Sequence, residues 1–150
     1  MTKKIKTQAC PMCSGTMTFK RDSDDVEYRG HRKAHKSLGW WCNKCGEAIF
    51  DGLSLMAREK VFQQLKAEIE GVLGPKDVAR VRKKLNMSQR KAGALLGGGP
   101  RAFQKYECGT QALSTPMSHL LRLLDNDPKR VSEIREAVAK YEKRVKREES

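Results

Sequence analysis

The chain has 150 residues, of which 31 are lysine or arginine and 18 are aspartate or glutamate, so its formal net charge is +13. This excess favours a polyanionic partner, and it is larger after residue 74 (18 basic and 9 acidic residues) than before it (13 and 9). The sequence has no run of about 18 apolar residues, and its lysine-rich start is followed by no hydrophobic segment, which argues against a membrane span and a signal peptide. We therefore expect a cytoplasmic protein of one or two small domains.

Two Cys-x-x-Cys pairs mark the first third of the chain. Residues 1–9 before them are basic and polar, and we expect them to be frayed. Each pair is followed closely by glycine, which permits a tight turn that aims two sulfurs at one point, and four thiolates complete a closed tetrahedral shell. In the cytosol such cysteines are more commonly metal ligands than disulfides. We predict one structural Zn²⁺ per chain, with the ligands Cys10, Cys13, Cys42 and Cys45.

A thioredoxin-like redox role is the alternative interpretation of a cytosolic Cys-x-x-Cys pair. It accounts for only one of the two pairs, and the βαβ context is lacking. His31 and His35 lie between the pairs, but four cysteines already complete the shell, so we expect both histidines at the surface. Trp40 and Trp41 either cover the metal cluster or form a protein-contact surface.

Short strands and one helix are predicted around the cysteines. We expect strands at Met17–Lys20, Val26–Arg29 and Leu38–Trp41, and an acidic turn at Asp22–Asp25. From Ser54 to Val72 the pattern is helical, and its apolar stripe favours packing on the zinc module. The stripe consists of Leu55, Phe62, Leu65, Ile69 and Val72. The following Gly71-Val72-Leu73-Gly74-Pro75 segment is typical of a hinge between domains.

Residues 86–109 have the pattern of a helix, a tight turn and a second helix. Ser88 is placed to cap the first helix, and three consecutive glycines from Gly97 can end it. We expect Pro100 as the first residue of the second helix and Gly109 as its stop. The apolar residues of the second helix fall on one side and its long polar residues on the other.

A short helix that is held by its apolar face and presents long basic and amide side chains is what entry into a DNA major groove requires. Arginine and lysine can donate to guanine, and glutamine can bond adenine. We predict base contacts by Arg101, Gln104 and Lys105. Phosphate contacts are expected through backbone amides and charge at the start of the preceding helix, from Ser88, Gln89, Arg90 and Lys91. The alternative is an ordinary helical hairpin with a solvated basic face.

Three further helices are predicted in the second half of the chain. One covers Lys76–Leu85, and a core helix begins at Ser114-Thr115-Pro116. The last begins at Lys129 and carries a heptad-like apolar seam made of Val131, Ile134, Val138, Tyr141 and Val145. In one chain this seam can pack on its own domain, but helix-turn-helix proteins commonly bind DNA as dimers, so a dimer contact is the alternative.

The predicted fold class is therefore an α+β N-terminal zinc-binding module with short strands and a helix, followed by an all-α C-terminal helix-turn-helix domain of about five helices. We place the first domain at residues 1–73 and the second at 74–150.

With the zinc pairs ahead of the motifs at residues 81–89 (VRKKLNMSQ) and 97–107 (GGGPRAFQKYE), the chain resembles the MqsA family of antitoxins over roughly residues 10–135. The helix-turn-helix half also resembles the wider Xre/Cro class of repressors. The resemblance implies a type II antitoxin whose zinc domain neutralises a cognate toxin, typically an mRNA-cleaving ribonuclease. It also implies a homodimer that binds palindromic double-stranded DNA in its own promoter and represses the operon.

In that family, base reading falls to two positions that align with Arg101 and Lys105, where the well-known form has Asn and Arg. We therefore expect a different operator sequence. The alternative function is a zinc-containing helix-turn-helix transcription regulator without a toxin partner. Because the sequence shows no Ser/His/Asp set, no open-coordination metal motif and no phosphate loop, we expect no enzymatic activity.

Overall fold

The structure is a computed structural model that describes residues 6–148. It divides into two compact units, Met1–Leu65 and Lys66–Ser150. Within the described residues, the elements of the N-terminal unit and the helix that runs on from it are β1 (Thr7–Ala9), β2 (Thr16–Ser23), β3 (Val26–Tyr28), β4 (His31–Lys33), β5 (Lys36–Cys42), β6 (Ala48–Phe50) and α1 (Gly52–Glu70). Those of the C-terminal unit are α2 (Pro75–Lys84), α3 (Gln89–Leu96), α4 (Ala102–Cys108), α5 (Thr115–Asn126), a 3₁₀ turn (Pro128–Arg130) and α6 (Val131–Glu148). The predicted fold class is confirmed.

The strands form one four-stranded antiparallel sheet and one hairpin. The sheet has the order β1-β2-β5-β6, and β3 pairs only with β4. In the long β2–β5 pairing, the fully buried Met17 lies opposite Cys42. The β3–β4 turn has positive φ at both Arg29 (48°) and Gly30 (79°), as a two-residue type I′ hairpin turn requires. Because Met17 pairs with Cys42, the central β2–β5 pairing of the sheet ends directly at this cysteine.

The strand predictions located three of the six strands, and their bounds differ. β2 extends to Ser23, so Asp22 belongs to a strand and not to the predicted turn. The expectation of fraying is wrong for Thr7–Ala9, which pairs with β2; residues 1–5 of that prediction lie outside the described residues. Strands of three residues carry almost no periodicity of their own and form because a neighbouring strand offers hydrogen-bonding groups.

α1 packs on the strand region through polar and aromatic contacts. The Asp51 carboxylate accepts a hydrogen bond from the backbone N–H of Ser54 (2.7 Å) at the start of the helix. Arg58 Nε donates to Asp24 (2.8 Å), and the Phe62 and Tyr28 rings meet edge to face. The predicted apolar stripe is wrong at its first member, because 52% of the Leu55 side chain is exposed.

The segment predicted as a hinge is tied into the C-terminal unit. Val72 belongs to the core of that unit, and the backbone N–H of Leu73 donates to the buried hydroxyl of Ser118 (3.0 Å). Arg122 donates to the carbonyl of Gly71 (3.0 Å). The two compact units divide within α1, between Leu65 and Lys66, and the domain boundary after residue 73 stays a prediction.

The helix-turn-helix forms with one change at its turn. The Ser88 hydroxyl accepts a hydrogen bond from the backbone N–H of Lys91 (3.2 Å), and Gly109 ends α4 with φ of 77°, which confirms both predictions. Pro100 is not the first helical residue, because α4 begins at Ala102. The three turn glycines, Gly97, Gly98 and Gly99, have φ of 107°, 89° and 87°. These positive angles are not helical, so α4 starts later than it would if Pro100 occupied the N1 position.

The core of the C-terminal unit contains Phe103, which is fully buried. Other buried members of the same core are Val78, Val81, Ala92, Leu121 and Leu124. α6 joins this core only through its first turn: Val131 is 6% exposed and Ile134 packs partly against the core, whereas Val138 is 38% and Tyr141 68% exposed. In the described part of the chain, no helix is long and apolar enough to cross a membrane.

Candidate functional site

The four predicted metal ligands come together at the end of the four-stranded sheet. The Sγ atoms of Cys10, Cys13, Cys42 and Cys45 all lie within 4.8 Å of one another. The Cys13–Cys42 distance is 3.5 Å and the Cys10–Cys45 distance 3.8 Å. All four are free cysteines. Among residues 6–148, no other group of three or more His, Cys, Asp or Glu side chains has this spacing.

The two Cys-x-x-Cys turns are built alike. The backbone N–H of Cys10 donates to the carbonyl of Gly15 (2.7 Å), and that of Cys42 donates to the carbonyl of Glu47 (2.9 Å), so each turn is closed five residues on. The fifth residue of each turn has positive φ, 58° at Ser14 and 74° at Gly46. Each turn thereby aims both of its thiols at the same point.

Gly15 allows the two turns to approach. A Cβ atom at this position would lie 3.1 Å from the Sγ of Cys42, 3.2 Å from that of Cys13 and 2.9 Å from the Cβ of Lys44. These distances are too short for a side chain to fit without moving the sulfurs. The spacing of the thiols therefore depends on a glycine that we had assigned only to turn formation.

The thiols differ in acidity and exposure. Hydrogen bonds from the backbone N–H groups of Cys45 and Lys44 lower the pKa of Cys42 to about 6. At Cys45 the backbone N–H of Glu47 lowers the pKa, but hydrogen bonding with the other thiols and burial outweigh it and raise the pKa to about 12. Cys10 and Cys42 are buried, whereas Cys45 is exposed. One ligand edge of the cluster thus faces solvent.

The geometry fits a tetrahedral ion. Zinc–sulfur bonds of about 2.3 Å in a tetrahedron place the sulfurs about 3.8 Å apart, close to the two observed distances of 3.5 and 3.8 Å. Four sulfurs leave no open coordination position, so the site can hold an ion but offers no place for a substrate. His31 is exposed, His35 is half-buried, and neither belongs to the cluster.

The second candidate site is the exposed face of α4. Ala102, Phe103 and Tyr106 are buried, and Phe103 and Tyr106 meet edge to face at 5.7 Å between ring centroids. The three predicted base-contacting residues, Arg101, Gln104 and Lys105, are exposed. In the described part of the chain their side chains form no hydrogen bond or ion pair. Arg101 lies at the N-cap position of the helix and the other two in its first turns.

The predicted phosphate-contacting residues do not form a uniform set. Arg90 and Lys91 are exposed at the start of α3, and Ser88 caps that helix. The side chain of Gln89 instead points inward, since its amide donates to Glu107 of α4 (2.9 Å). The phosphate contact predicted for the backbone amide of Gln89 does not involve this side chain and stays a prediction.

Glu107 is a functional candidate that the sequence analysis missed. It accepts two hydrogen bonds from Arg82 of α2, at 2.5 and 2.9 Å, and the side chains are 11% and 12% exposed. Burial alone raises the pKa of Glu107, but the hydrogen bonds from Arg82 and Gln89 outweigh it and hold the pKa below its ordinary value. Arg82 also donates to the carbonyl of Met87 (2.7 Å). The pair joins α2, the turn before α3, and α4, and no periodicity could have indicated a contact 25 residues apart.

A third feature is a set of exposed apolar side chains in the N-terminal unit. The exposed fraction is 78% for Leu53, 57% for Met56 and 72% for Met12. Leu55 and Ile49 are also exposed, at 52% and 40%. Four of these five side chains fall within residues 49–56, and several large apolar side chains that stay exposed to water are typical of protein-contact surfaces.

The features described above lie within the part of the chain that matches a known protein family. A family model described as the antitoxin component of the bacterial toxin–antitoxin system, MqsA, matches residues 8–135. Antitoxin MqsA of Escherichia coli (strain K12) is 33% identical over 132 residues, which cover 84% of this chain and 98% of that relative. The match includes both the four-cysteine cluster and the helix-turn-helix. The chain therefore belongs to the MqsA family of antitoxins.

Proposed function

We propose that this antitoxin neutralises a cognate ribonuclease toxin through its N-terminal unit, and that as a homodimer it binds palindromic promoter DNA through α4 and represses its own operon. The observation that carries the DNA part is the division of α4 into a buried apolar face and an exposed face. The three long polar side chains on the exposed face form no hydrogen bond or ion pair with any residue from 6 to 148. The protein acts by binding and has no catalytic activity.

The four-cysteine cluster holds one structural Zn²⁺ in this proposal. Four thiols at tetrahedral spacing support zinc, and a closed shell supports a structural role. Among residues 6–148, the core around the cluster contains three buried residues, Cys10, Met17 and Cys42. A metal therefore supplies stability that so small an apolar core cannot.

Base reading is assigned to Arg101, Gln104 and Lys105, and phosphate contacts to Arg90, Lys91 and the first backbone amides of α3. Arginine and lysine suit guanine, and glutamine suits adenine. Exposed cations at a helix start, together with the helix dipole, suit phosphate oxygens. The charge of +13 provides the non-specific attraction on which base reading is superimposed.

A promoter-binding titration tests this assignment. Arg101→Ala should weaken binding to the cognate promoter by about 1–3 kcal/mol and relax base preference, whereas Lys91→Ala should weaken all DNA about equally and lower the salt slope by about one. Lys60→Ala, which removes an exposed cation from α1 of the N-terminal unit, is the matched control and should change neither. Equal loss on every DNA sequence for Arg101→Ala would contradict base reading.

Toxin binding by the N-terminal unit is supported by its exposed apolar side chains, because such groups gain most from burial against a partner. The full chain is expressed with its neighbouring genes, purified by a tag in high salt, and its companions are identified by mass spectrometry. We expect a stoichiometric small protein that is toxic and cleaves RNA when expressed alone.

Leu53→Lys together with Met56→Lys should release that companion, while Arg101→Ala should retain it. Recovery of the antitoxin without any companion would favour the alternative of a transcription regulator that has no toxin partner.

A further inference from the structure

The last helix presents an apolar face that the chain leaves open. We call Ile134, Val138, Tyr141 and Val145 the α6 seam; they follow one another at intervals of four, three and four residues. Ile134 is partly covered by the core, but Val138 and Tyr141 are 38% and 68% exposed. Burial of such a seam in a second helix is the usual way in which this pattern is stabilised.

The α6 seam lies almost wholly outside the region that this chain shares with its family. The family match ends at residue 135, three residues before Val138, while α6 continues to Glu148. The helix is therefore 18 residues long, which corresponds to about 27 Å. Among the described residues of α6, those that join the core lie in its first turn, so most of its apolar face is available to a partner.

The charges beside the seam identify a second copy of α6 as that partner. In an antiparallel pair with Val138 opposite Tyr141 of the second copy, Ile134 lies opposite Val145. The same register places Arg135 beside Glu142 of the second copy, and two-fold symmetry repeats this pair. Both side chains are exposed and, within the described residues, neither has an ion-pair partner. Opposite charges therefore meet twice and like charges do not meet.

A groove next to the α6 seam offers a further apolar surface to the second copy of the chain. A shallow cavity of about 110 Å³ lies between α5 and α6 and is lined by Leu120, Leu123, Leu124, Arg130, Glu133 and Ile134. Leu123 is 57% exposed there. Since the antiparallel register brings Val145 of the second copy to Ile134, it also brings an apolar side chain to this groove.

We propose that two copies of the chain associate through antiparallel α6 helices, with the α6 seam at the centre of the interface. The proposal rests on the homodimer of the proposed function and specifies its interface.

Sedimentation velocity of the full-length protein over a wide concentration range tests the proposal. Arg135→Glu places two glutamates side by side and Glu142→Arg places two arginines, so each single substitution should weaken dimerisation about tenfold. The double variant Arg135→Glu/Glu142→Arg restores opposite charges and should recover the wild-type dissociation constant.

Two matched controls carry the same charge changes on the opposite side of α6. They are Lys143→Glu for the first substitution and Glu136→Arg for the second, and neither should alter dimerisation. Val138→Lys/Tyr141→Lys should give a monomer with unchanged circular dichroism, because both side chains are already exposed within one chain.

The double variant Arg135→Glu/Glu142→Arg distinguishes the antiparallel register from other arrangements of the two α6 helices. In a parallel pair, residues 135 and 142 do not face each other, and the double variant would not recover. A monomeric wild-type protein, a dimer that survives Val138→Lys/Tyr141→Lys, or a double variant without recovery would each overturn the proposal. If a dimer that ignores these substitutions still binds the promoter, the inference fails and the proposed function stands. If an α6-dependent dimer binds no promoter DNA, the proposed function fails and the inference stands.

Discussion

The Arg82–Glu107 pair makes a quantitative prediction for the C-terminal unit. Glu107→Ala removes the acceptor of three hydrogen bonds, two from Arg82 and one from Gln89, and leaves a guanidinium that is 12% exposed without its counter-charge. Breaking a buried ion pair on one side typically costs about 3–5 kcal/mol. Because Arg82 keeps its hydrogen bond to the Met87 carbonyl, we expect the lower end, about 3 kcal/mol.

The two units offer separate signals for this measurement. Both tryptophans, Trp40 and Trp41, lie in the N-terminal unit, whereas most helical residues lie in the C-terminal unit. Urea unfolding is therefore followed by far-ultraviolet circular dichroism for the helices and by tryptophan fluorescence for the strands. With a urea dependence of about 2 kcal/mol per molar, the loss lowers the helical midpoint by about 1.5 M. The fluorescence transition should not move.

An exposed pair is the matched control. Glu133→Ala removes the partner of Arg130 in a pair whose side chains are 63% and 53% exposed, and it should cost less than about 1 kcal/mol. Substitution of both buried partners, Arg82→Met with Glu107→Leu, should recover part of the loss, because no uncompensated charge remains, although the Met87 carbonyl and the Gln89 amide lose their partners. The reasoning would be refuted if the helical unfolding midpoint of Glu107→Ala shifted as little as that of Glu133→Ala. It would also be refuted if the fluorescence midpoint of Glu107→Ala shifted as much as its circular dichroism midpoint.

Three other outcomes are expected. Gly93→Ala should cost at least about 2 kcal/mol of helical stability, because its Cβ would lie 2.0 Å from a backbone carbonyl oxygen of the turn after α3. Gly74→Ala, at the N-cap position of α2 with open space around it, should cost less, about 1 kcal/mol; similar unfolding midpoints for the two would contradict the contact. Cys13→Ser should reduce bound zinc, measured by mass spectrometry, from one ion per chain to a small fraction, whereas Cys108→Ser, outside the cluster, should retain it; equal zinc contents would argue against the cluster. The lowered pKa of Glu107 adds stability at pH above its ordinary value of 4.5 that is lost as the pH falls through the folded-state pKa, so acid should destabilise the wild-type helices more than those of Glu107→Ala.

Features with a local physical cause were predictable from the sequence. The four cysteines could be assigned because each pair needs only its own turn to aim two sulfurs at one point. The cap at Ser88 and the buried face of α4 around Phe103 follow from hydrogen-bonding chemistry and from 3.6-residue periodicity, which act within a few residues.

Features that depend on distant residues were not predictable. β1 and β6 are three residues long and form only because a neighbouring strand is present. The inward orientation of Gln89 depends on Glu107, 18 residues away. The sequence places Gln89 at a helix start, where a side chain is exposed by default, and so it does not reveal this contact. The exposure of Leu55 also depends on residues that are distant in sequence. Helical periodicity shows which residues share a face of α1, but it does not show how far along the helix other elements cover that face.

The order of the cysteines along the chain also constrains the order of events during synthesis. Cys10 and Cys13 leave the ribosome first, but their partners Cys42 and Cys45 follow only after β2 and β5 have been made. At roughly 5–20 residues per second, the first pair waits for seconds with its thiols uncovered. During that interval the nascent chain has two reduced cysteines that no second pair protects from oxidants. For the proposed zinc site, we therefore expect the yield of metal-loaded antitoxin to depend on how reducing the surroundings of the ribosome are, in addition to the supply of zinc.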